Sequence, residues 1–295
     1  MSVTDVTSDG RRANSATDHE LPANARWDLH DLVDTERYPL HDLEGKGAHM
    51  LADASRTLAE TALCCLEGFV RPTALNAMLD EVNASEGEPY WVDNRRTVYS
   101  WRDLSMLPET HPARTRSKHR LGTITKNEFS ADGALVSFFE CRPITYFLRL
   151  CLGLPSLFPV ACPHLGLNIK VMNEGSHHGW HFDVNDGAVS LMLQRAAEGG
   201  VYEYAPYLRS ETDENYDQVA AIVRGESTEG LRRVQFDPGS LCLFNGRRSL
   251  HRVTEVVRGS PDRWTAVLSY DATPGLQYKD STKEAVLGRL PRASG

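Results

Sequence analysis

From Leu165 onward the chain alternates apolar residues with small or polar ones, and this period of two strongly limits how the chain can fold. Leu165, Leu167, Ile169 and Val171 occupy every second position. Since the side chains of a strand point alternately to its two faces, the run predicts a strand with one face in a core. Further strand-like runs lie at 188–194, 200–204, 232–236, 240–244, 251–256 and 264–270, with turn sequences at 237–239 and 245–246. Short strands joined by such turns predict a mainly β fold with an antiparallel double sheet, a jelly roll or double-stranded β-helix.

The residues before this region have a different periodicity. Apolar residues recur at near-helical intervals from His49 to Asn83, with a break at Gly68 and Arg71-Pro72, so two helices are expected there. A third helix is predicted over 138–152 and a short one over 215–224, while 84–135 shows no clear period and predicts loops and short strands. We therefore expect N-terminal helical support over 45–160 for a jelly-roll core over 161–275.

We interpret 26–289 as a single domain between two flexible tails. Residues 1–25 are rich in Ser, Thr, Asp and Asn and contain no apolar stretch, and 290–295 form a second tail. No signal peptide or membrane span is expected. The six cysteines form no CxxC pair and mostly lie in apolar runs, which predicts reduced core thiols and a cytoplasmic location.

Net charge indicates what kind of partner the chain has. At −8 over 295 residues, with one basic run at 114–120, the charge argues against nucleic acid and anionic membrane as partners. A small-molecule substrate is expected instead. A homodimer is left open.

Two histidines and one aspartate have the spacing of a metal site. His181 and Asp183 are separated by one residue, so on a strand both side chains point the same way, and His251 follows 68 residues after Asp183. Two imidazoles and a carboxylate on one face of a six-coordinate ion are typical of non-haem Fe(II) oxygenases. Zinc is the alternative and would activate water for hydrolysis, but no HExxH motif is present.

A candidate anion site follows the second histidine. Arg263 lies twelve residues after His251, and Thr265 lies two residues further on. A guanidinium and a hydroxyl on one strand face suit a dicarboxylate, because the guanidinium binds a carboxylate through two hydrogen bonds and the hydroxyl adds a third.

Together these residues resemble the 2-oxoglutarate-dependent Fe(II) oxygenases, whose pattern is His-x-Asp/Glu, a distal His and an Arg-x-Ser/Thr about a dozen residues later. His181, Asp183, His251, Arg263 and Thr265 match it position by position. More narrowly, segments 179–183, 199–206, 213–216, 246–254 and 268–271 are similar to a bacterial subgroup of free amino-acid hydroxylases and the related lysine radical halogenases. This resemblance extends over roughly residues 45–275.

The resemblance implies Fe(II) as cofactor, 2-oxoglutarate and O2 as co-substrates, and hydroxylation of a free amino acid or small derivative with release of succinate and CO2. Related halogenases have a small residue where this chain has Asp183, so the resemblance favours hydroxylation. Desaturation, cyclisation, halogenation, and a carrier-bound or peptide substrate stay open as alternatives. A non-catalytic metal-binding β-barrel is a remote one.

Several residues are candidate substrate contacts because they lie near the proposed ligands or on the inner face of the predicted barrel. Glu203 is a further option for a basic substrate, with a strand-rim position as the alternative. The main candidates are His178, Trp180, Asn185, Asp186, His164, Asn168, Arg114 and Arg116.

Overall fold

The strands form two facing antiparallel sheets in the computed structural model, which describes residues 26–99, 102–184 and 187–291. The strands are β1 (Leu63–Leu66), β2 (Tyr90–Thr97), β3 (Arg116–Thr125), β4 (Phe158–Pro159), β5 (Leu167–Met172), β6 (His178–His181), β7 (Ala188–Gln194), β8 (Tyr202–Ala205), β9 (Arg232–Val234), β10 (Leu241–Phe244), β11 (Leu250–Val253), β12 (Arg263–Leu268) and β13 (Tyr270–Asp271). The helices are α1 (Leu29–Leu32), α2 (Ala48–Thr61), α3 (Pro72–Ala84), α4 (Ala134–Glu140), α5 (Arg142–Cys151), α6 (Tyr216–Arg224) and α7 (Asp280–Leu287), and two short 3₁₀ helices lie at Pro112–Arg114 and Lys126–Glu128.

Strand order gives the jelly roll predicted from the sequence. The major sheet has the order β1-β10-β7-β12-β5-β3-β2, and the minor sheet has the order β6-β11-β8-β9. β4 and β13 form a separate two-stranded ribbon. Every strand pair is antiparallel, and most neighbours in a sheet are distant in the chain. The prediction of a β fold with helical support is confirmed.

The major sheet has one apolar face, and the helices cover it. Ile169 of β5, Leu191 of β7 and Ala266 of β12 are fully buried there and belong to the same cluster as Phe138 of α4 and Phe147 of α5. Burial of apolar area, as on this face, is the main driving force for folding. The opposite face points towards the minor sheet and holds several of the buried polar side chains.

Three local predictions differ from the structure. Residues 84–135 contain two long strands, β2 and β3, which widen the major sheet, because charged residues at 93–96 and 116–120 hide the period of two. Residues 63–66, which the apolar pattern placed in the first predicted helix, form β1 instead, and β1 pairs with β10. The predicted helix 138–152 is two helices that meet at Cys141, because Pro143 lies in the first turn of α5 and cannot continue a preceding helix.

The predicted tails lie outside the described residues, apart from Leu290 and Pro291. Of the described helices, none combines the length and the apolar character that crossing a bilayer requires.

Candidate metal centre and co-substrate site

Strand pairing brings the three proposed metal ligands together. β6 ends at His181, β11 carries His251, and the two residues lie opposite each other in the antiparallel pair. Oδ1 of Asp183 lies 3.9 Å from Nε2 of His181 and 3.6 Å from Nε2 of His251. One ligand atom from each residue lies within 4.8 Å of the other two. These are separations that a single bound ion can bridge.

The hydrogen bonds of both imidazoles prepare them for a metal. Nδ1 of His181 lies 2.8 Å from the carbonyl oxygen of Gly179, and Nδ1 of His251 lies 3.0 Å from that of Ser249. Each Nδ1–H therefore donates to the carbonyl two residues earlier, which leaves the Nε2 lone pair facing the shared site. Burial and the neighbouring His251 hold the pKa of His181 well below its usual value, so this ring is neutral, as a ligand must be.

Phe182 separates the two ligands in sequence and points away from them. Its amide donates to the carbonyl of Val98 at 3.2 Å, and its ring lies 5.5 Å from that of Tyr99 in an apolar cluster behind the minor sheet. Asp183 lies two residues beyond β6, and its amide donates to the carbonyl of Gly246 at 3.0 Å. The adjacent loop thus fixes the backbone of the carboxylate ligand.

Arg263 and Thr265 lie side by side on the inner face of β12. Both side chains are buried, and Nη1 of Arg263 donates to Oγ1 of Thr265 at 2.6 Å. The hydroxyl proton of Thr265 remains available to a ligand, with only a weak 4.0 Å contact to the sulfur of Met192. Burial lowers the pKa of Arg263 to about 10, so the guanidinium is still charged at neutral pH.

This buried cation has no counter-ion in the described part of the chain. No carboxylate among residues 26–99, 102–184 and 187–291 forms an ion pair with Arg263. An unpaired buried charge is costly, and a ligand carboxylate would offset the cost. The site therefore fits one end of a dicarboxylate.

Tyr202 of β8 lies near both the metal ligands and Arg263, and its position in the sequence did not indicate this. Its ring is 5.7 Å from that of His251, and Asp183 and Arg263 are both among its charged neighbours. Burial, followed by Asp183, holds the pKa of Tyr202 well above its usual value, so the phenol keeps its proton and can donate a hydrogen bond.

A match to a protein-family profile identifies the family to which this chain belongs. The sequence profile described as Halogenase D matches residues 47–287, which is most of the chain. The protein belongs to the Halogenase D family. Together with its ligand set, this places the chain in the 2-oxoglutarate/Fe(II) oxygenase superfamily, so Fe(II), 2-oxoglutarate and O2 are its cofactor and co-substrates.

Solved structures share the fold of this Halogenase D family member at low sequence identity. The epimerase SnoN from nogalamycin biosynthesis, described as non-haem and α-ketoglutarate-dependent, is 10% identical with a TM-score of 0.51, over 84% of this chain and 90% of SnoN. AviO1 from Streptomyces viridochromogenes Tue57 is 12% identical with a TM-score of 0.50, over 76% of this chain and 96% of AviO1. A search of curated proteins found no sequence that matches the chain.

Of the predicted substrate contacts, His178 lies beside the metal ligands. Its ring stacks on that of His181 with 4.0 Å between centroids, because an irregularity in the β6–β11 pairing turns both side chains to the same side. Asn168 lies on the inner face of β5, where its amide donates to the carbonyl of Leu165 at 3.4 Å. Asn185 and Asp186 lie outside the described residues.

Other candidates are not brought to the metal. Trp180 belongs to the apolar cluster behind the minor sheet, and the guanidinium of Arg252 lies 4.5 Å from its ring centroid, so the prediction that Trp180 contacts substrate has no support in its position. His181 points inward while Trp180 points outward, because side chains of a strand alternate. Glu203 also lies on this outer face, where its oxygens are 2.7 Å from Nε of Arg252 and 3.1 Å from Nε of Arg233.

The remaining three candidates lie on loops or at a sheet margin. Arg114 donates to the carbonyl of Leu107 at 2.9 Å within its own loop. His164 lies in the turn before β5, near Lys283 of α7. Arg116 is exposed at the first position of β3 and lines a groove at the edge of the major sheet. None of these positions is at the metal ligands.

Proposed function

We propose that the protein hydroxylates an unactivated C–H bond of a free amino acid or a small amino-acid derivative, with conversion of 2-oxoglutarate into succinate and CO2. The single observation that carries hydroxylation is the position of Asp183. Its carboxylate lies within 4 Å of both imidazole Nε2 atoms, so it would be a third protein ligand to Fe(II) beside His181 and His251.

Chlorination is the second candidate, because the family carries the description Halogenase D. A halide bound to iron needs a coordination position that no protein carboxylate occupies. In this chain Asp183 would take that position, whereas the related halogenases of the resemblance have a small residue there. We therefore infer that this member of the family has kept the ligand set of a hydroxylase.

Each residue of the site has a defined task in this reaction. His181, Asp183 and His251 would hold Fe(II), and Arg263 with Thr265 would hold the far carboxylate of 2-oxoglutarate, so the co-substrate is oriented before reaction. Bound iron, with 2-oxoglutarate and O2, supplies the oxidation that inserts one oxygen atom into a C–H bond. Tyr202 and Phe244, both beside His251, form part of the wall that keeps water from the site.

The experiment that tests this proposal measures cofactor binding and turnover separately. Anaerobic protein receives Fe(II) and then 2-oxoglutarate, and the visible absorption band of the ternary complex is recorded. Oxygen is then admitted with a panel of free L-amino acids in the presence of chloride, and succinate and product masses are measured. We expect the band, and stimulated succinate release with a gain of one oxygen in the substrate.

Arg263→Leu is the matched control, since it removes the proposed carboxylate contact and leaves all three metal ligands. It should bind the metal but give the band only at much higher 2-oxoglutarate concentration. A gain of chlorine in the product would favour the second candidate, and loss of two hydrogens would indicate desaturation or cyclisation. Absence of both the band and succinate would contradict the oxygenase function.

A further inference from the structure

A second group of polar side chains lines the interior beside the metal ligands. His119 of β3 and His178 of β6 have ring centroids 5.4 Å apart, and His178 stacks on the ligand His181. Lys170 of β5 donates from Nζ to Oγ1 of Thr123 at 3.0 Å. Antiparallel register places Lys170 between Thr123 of β3 and Thr265 of β12 on the inner face of the major sheet.

Two cations in this group have no acidic partner. Within the described ranges, no carboxylate is ion-paired with Lys170 or with Arg96 of β2, and the bond to Thr123 is the one hydrogen bond that Lys170 donates there. Nε of Arg96 is buried and has no hydrogen-bond partner, and its Nη1 reaches the carbonyl of Ala285 at 3.3 Å. The two cations are electrostatic neighbours of each other and of His178. Like charges held together away from water raise the free energy of the empty site, and an anionic ligand would offset this.

The side chain of Lys170 is on the inner face of β5 and is partly accessible, so a ligand inside the barrel could reach it. Lys170 lies directly opposite Thr265 in the β5–β12 pair, but its Nζ is directed at Thr123 of β3, on the side of β5 away from the strand that carries Arg263.

A groove at the edge of the major sheet is also lined by positively charged side chains. It has a volume of about 340 Å³ and is lined by Asn94, Arg95, Arg96, Thr97, Arg116 and Ala285. Arg96 belongs to this groove and is also a charged neighbour of the interior histidines. Positive charge at both locations favours the approach of anions against the net charge of −8.

We propose that Lys170 and Arg96 bind the acidic groups of a substrate that carries at least two carboxylates, so the substrate class is acidic amino acids rather than neutral or basic ones. This inference rests on the proposed function and narrows its substrate. Charge-assisted hydrogen bonds from a lysine and an arginine distinguish a carboxylate from an amide of the same shape. A lysine-like side chain would place a third cation beside two unpaired ones.

The test compares isosteric ligands by binding, without turnover. Protein loaded anaerobically with Fe(II) and saturating 2-oxoglutarate is titrated with L-aspartate, L-glutamate and L-2-aminoadipate, and with L-asparagine, L-glutamine and L-lysine, by calorimetry. Saturating 2-oxoglutarate keeps acidic ligands out of the Arg263 site. We expect at least one acidic amino acid to bind tenfold or more tightly than its amide or lysine.

Two variants test whether Lys170 is responsible for the preference for acidic ligands. Lys170→Met should lose at least tenfold in affinity for the acidic ligand, with the affinity for 2-oxoglutarate changed by less than threefold. Lys118→Met, which removes an exposed lysine of β3, is the control and should bind as the wild type does. Equal binding of acids and amides, or no binding of any acid, would overturn the proposal, and so would a Lys170→Met variant that loses affinity for 2-oxoglutarate instead. In each of those cases, succinate release with a neutral or basic amino acid would still support the proposed function. If no amino acid stimulated succinate release, the proposed function itself would be refuted.

Discussion

A Cβ atom on Gly246 would lie 1.8 Å from Oδ2 of Asp183, so the carboxylate ligand occupies the space that a side chain at 246 would need. The same glycine accepts the amide hydrogen bond of Asp183 through its carbonyl. The loop before β11 therefore holds the backbone of the ligand and also leaves room for its side chain. Asp183 and Gly246 act as one structural unit, although 63 residues separate them in the chain.

Gly246→Ala should displace the Asp183 carboxylate and weaken Fe(II) binding by roughly 10–100-fold, the range seen when support of a metal ligand is lost. Gly153→Ala is the control. A Cβ atom at position 153 would meet no other atom within 4 Å, and the only cost there is a φ of +64°. This control should lose about 1 kcal/mol of stability and keep its iron. Anaerobic Fe(II) titration of both variants measures the difference. Unchanged iron affinity in Gly246→Ala would show that the Asp183 carboxylate does not depend on the space beside Gly246.

Thr265→Val should weaken 2-oxoglutarate binding about tenfold, because it removes one hydrogen bond to a charged group, worth about 1.5 kcal/mol. The variant also deprives Arg263 of its 2.6 Å acceptor, so the guanidinium becomes less well oriented. The absorption band of the Fe(II)–2-oxoglutarate complex, titrated anaerobically, gives the affinity. Iron binding should stay within twofold of the wild type, and a loss of iron binding equal to the loss of 2-oxoglutarate binding would contradict this assignment.

Glu203→Gln should reduce stability by about 1–2 kcal/mol without changing which substrate is oxidised. Glu203 is buried behind the minor sheet between the partly exposed Arg252 and Arg233, away from the metal ligands. Glu211→Gln, at an exposed pair with Arg248, is the matched control and should change stability by less than about 0.5 kcal/mol. Urea unfolding and product analysis supply the two measurements. A change of substrate preference at unchanged stability would instead bring Glu203 into the active site.

Lys170 should make the stability of the metal-free protein depend on pH. Burial, followed by the charge of Arg96, lowers the pKa of Lys170 from 10.5 to about 7, and its other neighbours Thr123 and His178 carry no negative charge. Between pH 7 and 10.5 the unfolded chain holds a proton at this position that the ligand-free folded chain loses, so the free energy of unfolding of the ligand-free protein rises with pH, whereas a bound carboxylate would keep Lys170 charged.

The measurement compares the wild type with Lys170→Met by urea unfolding at pH 7, 8 and 9. Wild-type stability relative to the variant should increase by up to about 1.4 kcal/mol per pH unit. Lys118→Met, at an exposed position, serves as the control for removing a lysine as such. A difference that stays constant from pH 7 to 9 would mean that Lys170 is charged throughout.

The sequence predicted what depends on spacing along one strand. Arg263 and Thr265 share a face of β12 by alternation, and the period of two from Leu165 identified the jelly roll. The spacing of His181 and Asp183 also predicted their proximity, although Asp183 lies beyond the end of β6 and not on the strand. Sequence reasoning missed Tyr202 and Gly246, whose roles depend on neighbours that only strand pairing provides. Sequence reasoning also missed Lys170, because its partners on β2 and β3 lie in a stretch whose charged residues concealed the strands.

The most direct test of hydroxylation measures which atoms one substrate gains when it is oxidised under labelled oxygen. The amino acid that most stimulates succinate release is incubated with Fe(II)-loaded protein, 2-oxoglutarate, ¹⁸O2 and excess chloride, and the product is analysed by mass spectrometry. We expect one ¹⁸O atom in the product, no chlorine, and succinate formed in equal amount. A chlorinated product from the wild type with Asp183 in place, or succinate formed without any oxidised amino acid, would contradict hydroxylation.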